Sequence, residues 1–213
     1  VDWGIPLAAA RRGASGKTAQ RASGGHMSAR HATQLQLQQG STQFFPALVE
    51  AFDQAQQEIR LETYIFDFTG AGLQVALALE RAARRGVHTF VLVDGVGTEP
   101  LSVSWRQRLG AAGVEWRVFA PPGRWGLLSP RGWRRLHRKL CCVDRRVAFC
   151  GGINILDDWH DPNHGALEQP RFDFAVRIHG NLVPEIHAVM AQLWSQTLPG
   201  RPLRARVDAV LRA

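Results

Sequence analysis

The run from His137 to Asn154 constrains this chain more than any other segment. It reads His137-Arg-Lys139-Leu-Cys-Cys-Val-Asp144-Arg-Arg-Val-Ala-Phe-Cys-Gly151-Gly152-Ile-Asn154, the spacing H-x-K-x4-D-x6-G-G-x-N. Leu136 to Val143 is an apolar-bounded run closed by the polar turn Asp144-Arg145-Arg146, and Val147 to Cys150 follows it. Such a pattern predicts two strands joined by a tight turn. Side chains alternate faces along a strand, so His137 and Lys139 are expected to point the same way. A pattern fixing six positions arises by chance in fewer than roughly one in a million windows at ordinary residue frequencies. A basic strand before a glycine turn would explain His137 or Lys139 singly, but not all six positions together.

The residue types suggest a chemistry. A neutral imidazole can attack phosphorus while a neighbouring ammonium neutralises the non-bridging oxygens, and that division of labour requires no metal. Gly151 and Gly152 would let the backbone turn closely beneath a phosphate and place the Asn154 amide as a further donor. Phosphate binding is therefore assigned to Lys139, Asn154, Gly151 and Gly152. Asp144 stands where the strand turns away from His137, so a turn cap or structural ion pair competes with a direct catalytic role. Glu62, in the apolar stretch Ile59 to Phe66, either is buried with a partner or lies in water at a strand end.

This spacing is the signature of the phospholipase D superfamily, whose members cut and rejoin phosphodiester bonds. Further segments resemble the amino-terminal half of bacterial cardiolipin synthases of that type: Phe44-Phe-Pro-Ala, Leu61-Glu-Thr-Tyr-Ile-Phe-Asp-Phe, Ala82-Ala-Arg-Arg-Gly-Val, Val91-Leu-Val-Asp-Gly-Val-Gly and Leu136-His-Arg-Lys-Leu. The likeness runs from about residue 34 to 197. It implies transfer of a phosphatidyl group to phosphatidylglycerol through a phosphohistidine, without a cofactor. By that resemblance His137 is the nucleophile or the general acid and base, and Lys139 and Asn154 bind phosphate. Arg171-Phe-Asp173-Phe-Ala-Val-Arg177 resembles the strand whose acid hydrogen-bonds the catalytic histidine, which gives Asp173 an orienting role. The catalytic set is thus His137, Lys139, Asp144, Asn154 and Asp173.

The resemblance also exposes a departure. Those synthases carry two copies of the motif, whose histidines meet in one site, whereas no other histidine here is followed two residues later by lysine. In-line displacement needs a nucleophile on one side and a proton donor on the other, so a single half is expected to be a poor catalyst. The missing half would come from a longer chain or from a homodimer partner. Leu198-Pro-Gly-Arg-Pro reads as a linker leading into the start of a second half, over 198–213, which favours a longer natural protein.

Along the chain, residues 1–33 are rich in Ala, Gly, Ser and Arg and read as a flexible basic leader. The expected elements are a strand at Gln34 to Gln38, a helix capped by Ser41, and a strand at Ile59 to Phe66. Next come a helix at Ala71 to Arg85 ending at Gly86, a strand at Val87 to Val93, a helix at Ser102 to Ala112 and a strand at Val114 to Phe119. The motif strands, the Asp173 strand and a helix at Leu182 to Thr197 follow. This alternation predicts an α/β fold, a mixed sheet with helices on both faces, occupying 34–197 as one phospholipase D-like half.

The net charge of +8 is concentrated between Arg124 and Arg146, which hold eight Lys or Arg against one acid, Asp144. Arg124, Trp125, Leu127, Leu128, Trp133, Arg134 and Arg135 are the expected membrane contact, since basic residues and tryptophan suit an anionic headgroup surface. The same mixture suits a nucleic-acid backbone. No run of 18 or more apolar residues encodes a spanning helix, so membrane contact would be peripheral. Cys141, Cys142 and Cys150 are odd in number and sit in the two motif strands, which predicts reduced, buried thiols in a cytosolic setting; no spaced second pair completes a zinc site. The leading expectation is half of a phosphatidyltransferase peripheral to the bacterial inner membrane. A homodimeric phosphodiesterase acting on nucleic acid and a non-catalytic anionic-surface module are the alternatives.

Overall fold

The structure, a computed structural model, describes residues 32–121, 134–161 and 165–197. The expected leader and the 198–213 segment lie outside the described residues, apart from residues 32 and 33. So do Arg124, Trp125, Leu127, Leu128 and Trp133.

Among the described residues, nine strands and four helices follow in the order β1 (Gln34–Gln39), α1 (Gly40–Gln54), β2 (Glu58–Thr63), α2 (Gly70–Arg84), β3 (His88–Asp94), α3 (Val103–Ala112), β4 (Val114–Phe119), β5 (Lys139–Val143), β6 (Val147–Gly151), β7 (His160–Asp161), β8 (Gly165–Ala166), β9 (Phe174–His179) and α4 (Leu182–Gln196). Seven strands form one mixed sheet in the order β1-β9-β6-β5-β2-β3-β4, and β7 and β8 pair separately. The β2-α2-β3 and β3-α3-β4 units run parallel, as helical crossovers require, while β5, β6, β9 and β1 are antiparallel to their neighbours.

The adjacent cysteines show how the sheet divides the interior. Cys141 joins a core built with Phe44, Leu48 and Phe52 of α1 and Val75 and Leu79 of α2, whereas Cys142 joins a smaller one with Val183 and Met190 of α4. Helices therefore cover both faces, α1 to α3 on one and α4 on the other, as the α/β alternation predicts. Phe52 and Leu48 are fully buried, and burying each such side chain contributes about 1.5–3 kcal/mol. Cys150 departs from expectation: it is exposed, because it lies on the α4 side beyond the helix's cover.

The helix starts differ from the expected capping. Ser41 is not the cap of α1; Gln39 holds the cap position and makes no side-chain cap. The Asp158 carboxylate instead accepts from Ser41 N at 2.6 Å, reached because Gly40 takes φ +62° and carries no Cβ to meet that carboxylate. Asp157 similarly approaches Ala71 N in the first turn of α2 at 3.4 Å. Two successive acids from one distant loop thus place negative charge at two helix amino-termini, where it is stabilising.

Three strand boundaries also move. β2 ends at Thr63, β5 begins only at Lys139, and β9 begins at Phe174. Lys139 pairs with Gly151, the last residue of β6, so residues before Lys139 have no ladder to join. His137 and Asp173 consequently stand just outside the strands that were expected to carry them. Among the described residues, no helix is long and apolar enough to cross a membrane.

Candidate active site at the sheet end

The site gathers where β2 and β3 finish and β5 and β9 begin. Alternation within a strand cannot place His137, because His137 precedes β5; a buried acid does so instead. Asp94, with no exposed surface, accepts from Val96 N at 2.8 Å and Gly97 N at 3.0 Å through one oxygen. Its other oxygen accepts from Leu136 N at 2.6 Å. Leu136 is itself buried, so the residue before His137 is held at both backbone and side chain.

His137 is exposed, with its ring 5.3 Å from that of Tyr64. Tyr64 belongs to a short segment leaving β2 that is fastened on several sides. Thr98 Oγ1 donates to Tyr64 O and accepts from Phe66 N, and Gly97 packs so closely that a Cβ would come within 2.7 Å of the Tyr64 ring. Asn154 Oδ1 accepts from Ile65 N at 3.1 Å. This fixes the amide so that Nδ2 is the group left to donate to a ligand.

Lys139 is buried, 8% exposed, and its ammonium donates to His137 O at 3.0 Å while lying 5.5 Å above the Tyr64 ring. Burial holds its pKa below the ordinary lysine value, with the Asp173 carboxylate opposing that shift. The Asp173 charge is therefore felt at Lys139. Among the described residues, no hydrogen bond joins Asp173 to His137. His137, Lys139, Asn154 and Asp173 thus converge on one end of the sheet.

The glycines serve the scaffold. A Cβ on Gly151 would fall 2.4 Å from Ala175 Cα and Phe174 O, so glycine is what lets β6 and β9 approach there. Gly152 N donates to Phe174 O at 2.8 Å, and a Cβ on Gly152 would meet Asp173 Oδ1 at 3.3 Å. The Gly152 N–H expected beneath a phosphate already has a backbone partner; the pair's contribution is to admit Asp173.

Asp144 lies away from this constellation, at the far end of β5. Its carboxylate accepts from Gln56 N at 2.9 Å and from Gln57 N and Glu58 N at 2.8 Å each. With Asp144 and Arg145 both at positive φ, it closes the β5–β6 turn and fastens the start of β2. Of the two sequence alternatives, the structure places the carboxylate as a cap. Glu62 does find a partner, since the Arg138 guanidinium grips it on the α4 face; burial nonetheless raises its pKa against the opposing Arg138 and Arg60 charges. Arg134 lies over the Phe119 ring at 5.5 Å, and the Arg135 guanidinium donates to Arg134 O.

Asp94, Tyr64, Asp157 and Asp158 were missed as supporting residues. Asp94-Gly95 reads as an ordinary strand-to-turn pair, and the two later acids have no local helix to cap. Among the described residues, no three His, Cys, Asp or Glu side chains cluster at metal-binding separation.

Comparison with known proteins then decides the family. Residues 48–167 match the model described as cardiolipin synthase, PLD-like domain. This chain belongs to the phospholipase D-like family. Among its relatives is cardiolipin synthase B of Salmonella typhi, 40% identical over 172 residues, covering 81% of this chain and 40% of that protein. Cardiolipin synthase B of Escherichia coli K12 is 36% identical over 177 residues, covering 83% of this chain and 41% of that protein. The chain therefore spans about two fifths of the length of these relatives. In fold, it is similar to the phospholipase D family member Nuc from Salmonella typhimurium, with TM-score 0.57 and 19% identity over 80% of this chain and 100% of that chain. NucT from Helicobacter pylori gives TM-score 0.55 and 13% identity over 77% of this chain and 97% of that chain. The mixed sheet and its flanking helices are thus a phospholipase D-like fold.

Proposed function

We propose that this phospholipase D-like chain supplies one half of a phosphatidyltransferase of cardiolipin synthase type. The observation that carries the reading is the convergence of His137, Lys139 and Asn154 at one sheet end of a domain whose relatives at 36–40% identity are cardiolipin synthases. In the first step an imidazole nitrogen of one motif histidine attacks phosphorus. The nitrogen–phosphorus bond forms, the phosphorus–oxygen bond to the leaving alcohol breaks, and the opposite histidine gives that oxygen a proton. In the second step the hydroxyl of phosphatidylglycerol loses its proton to that group and attacks phosphorus, releasing the first histidine. Lys139 and the Asn154 amide neutralise the charge that develops on the non-bridging oxygens. The phosphohistidine, the second half and the lipid partners belong to this reading. So does peripheral attachment to the inner membrane through residues 124–135, where Arg134 and Arg135 would continue the basic stretch.

The test is to supply the purified chain with a second motif half, incubate the two with phosphatidylglycerol vesicles and follow lipid products by mass spectrometry. Cardiolipin and glycerol formed by the protein and lost in His137→Ala support the reading. Absence of any lipid product, with His137-dependent cleavage of DNA, overturns it in favour of a phosphodiesterase acting on nucleic acid. That second reading is favoured by one observation: between Arg124 and Arg146 stand eight Lys or Arg against one acid, a charge that suits a nucleic-acid backbone.

A further inference from the structure

Beside the site, the sheet end opens into a cleft that the proposed chemistry does not use. β2 and β3 run parallel, and the crevice beyond the carboxyl ends of parallel strands is where such sheets receive ligands. Here it encloses about 290 Å³ between the segment following β2 and the start of α3, walled by Ile65, Phe66, Phe68, Leu101 and Trp105. It adjoins the phosphate-binding groups directly. Ile65 N is the donor that fixes Asn154 Oδ1, and Gly97, in the same wall, packs on the Tyr64 ring beside His137. A second cleft of about 380 Å³ lies between α3 and β4, walled by Leu109, Val114, Trp116 and Val118. The two share Pro100 and Leu101, and the Phe68 ring spans them, 4.9 Å from the Trp105 ring of the first and 5.5 Å from the Trp116 ring of the second.

We infer that the two clefts form one trough for the glyceryl and acyl part of a lipid whose single phosphate sits at Lys139 and Asn154, an inference that rests on the lipid substrate of the proposed function. Polarity along the trough selects that occupant. Asp67, Glu99 and Asp161 line the first cleft, and among the described residues no Lys or Arg lines it. A polynucleotide would bring further phosphates against those acids, where like charge opposes them. A glyceryl ester is uncharged, and its free hydroxyl can donate to a carboxylate. Farther from the phosphate the acids end: the second cleft carries Arg106 as its one charged lining residue among those described. Carboxylates near the phosphate with aliphatic and aromatic carbon beyond them match a molecule that is polar at one end and hydrocarbon at the other. A mostly apolar cleft with a few polar groups at one end is also the usual form of a small-molecule site.

Isothermal titration calorimetry on the purified chain alone tests the trough, since binding needs neither a second half nor turnover. The probes are monoacyl phosphatidylglycerols of rising chain length, each below its critical micelle concentration, with glycerol phosphate as the chainless member. Affinity should rise about fourfold per methylene until the trough is full, and then level off. Gly110 lines the second cleft and a Cβ there meets nothing within 4 Å, so Gly110→Phe can fill the cleft while improving helix propensity. It should bring the plateau to a shorter chain and weaken the longest member by about tenfold, the loss of roughly two methylenes. Val118→Asp, on the edge strand and exposed, should weaken the long members in the same way. Both variants should keep the native circular dichroism and leave glycerol phosphate binding unchanged, whereas Lys139→Gln should weaken every member equally and preserve the slope. Absence of binding, or affinity independent of chain length, overturns the inference. So does a slope that Gly110→Phe and Val118→Asp leave unaltered, which would place the hydrocarbon elsewhere on the surface. The proposed transfer fails separately: expected binding in a chain that forms no cardiolipin with a second half leaves the trough standing, and cardiolipin formed without any chain-length dependence removes the trough alone.

Discussion

Asp144 and Lys139 carry the residue-scale consequences. Asp144 stands in the motif yet fastens three backbone N–H groups far from His137. Asp144→Ala should lower the unfolding free energy by about 1–3 kcal/mol, nearer the lower value because two of the three groups can reach water. Asp144→Asn, which keeps an acceptor and tolerates positive φ, should recover most of it. Chemical denaturation checks the stability, and kcat of the folded fraction should change little in either variant. Lys139 should set the alkaline limit of activity. Only its ammonium form neutralises phosphate, and burial lowers its pKa while Asp173 opposes that shift. Removing that opposition with Asp173→Asn should move the alkaline limb of kcat/KM to lower pH. If Asp173 acted solely by orienting His137, kcat would fall and the limb would stay in place.

At the scale of elements, the α4–β2 contact is electrostatic. Glu58 accepts from Arg60 at 2.8 and 3.0 Å and lies 2.6 Å from His187 Nε2. Burial raises its pKa, but the hydrogen bonds and charges of Arg60 and His187 outweigh burial and leave it lowered. A carboxyl with a lowered folded pKa stabilises the fold above its unfolded pKa and loses that contribution as pH falls through the folded value. Glu58→Gln should therefore reduce stability at neutral pH and flatten its decline on acidification below about pH 5, as read from urea midpoints across that range. Element type was legible because hydrophobic period survives in the local sequence, as in the helix carrying Phe44, Phe45, Leu48 and Phe52. Element ends were not legible where partners set them. Lys139 begins β5 because Gly151 ends β6, and α1 is capped by Asp158, a residue 117 positions from Ser41.

At the scale of the whole molecule, the site draws on residues far apart in the chain, from Tyr64 to Asp173. A ligand bound at Lys139 and Asn154 should therefore stabilise the global fold by mass action. Inorganic phosphate at about 100 times its dissociation constant would add about 2.7 kcal/mol, a rise in Tm of roughly 2–4 °C for each kcal/mol at this chain length. Scanning calorimetry should show that rise in the native protein and its loss in Lys139→Gln.

The sequence by itself determined the motif, the α/β alternation and the choice of His137, Lys139 and Asn154 as candidate site residues. Each of these is written in residue types at fixed spacing or in a local period. Only the tertiary structure decided what Asp94, Asp144, Asp157, Asp158 and the glycine pair do. A carboxylate or a missing Cβ takes its meaning from whichever distant backbone reaches it. Neither spacing nor periodicity records that distance.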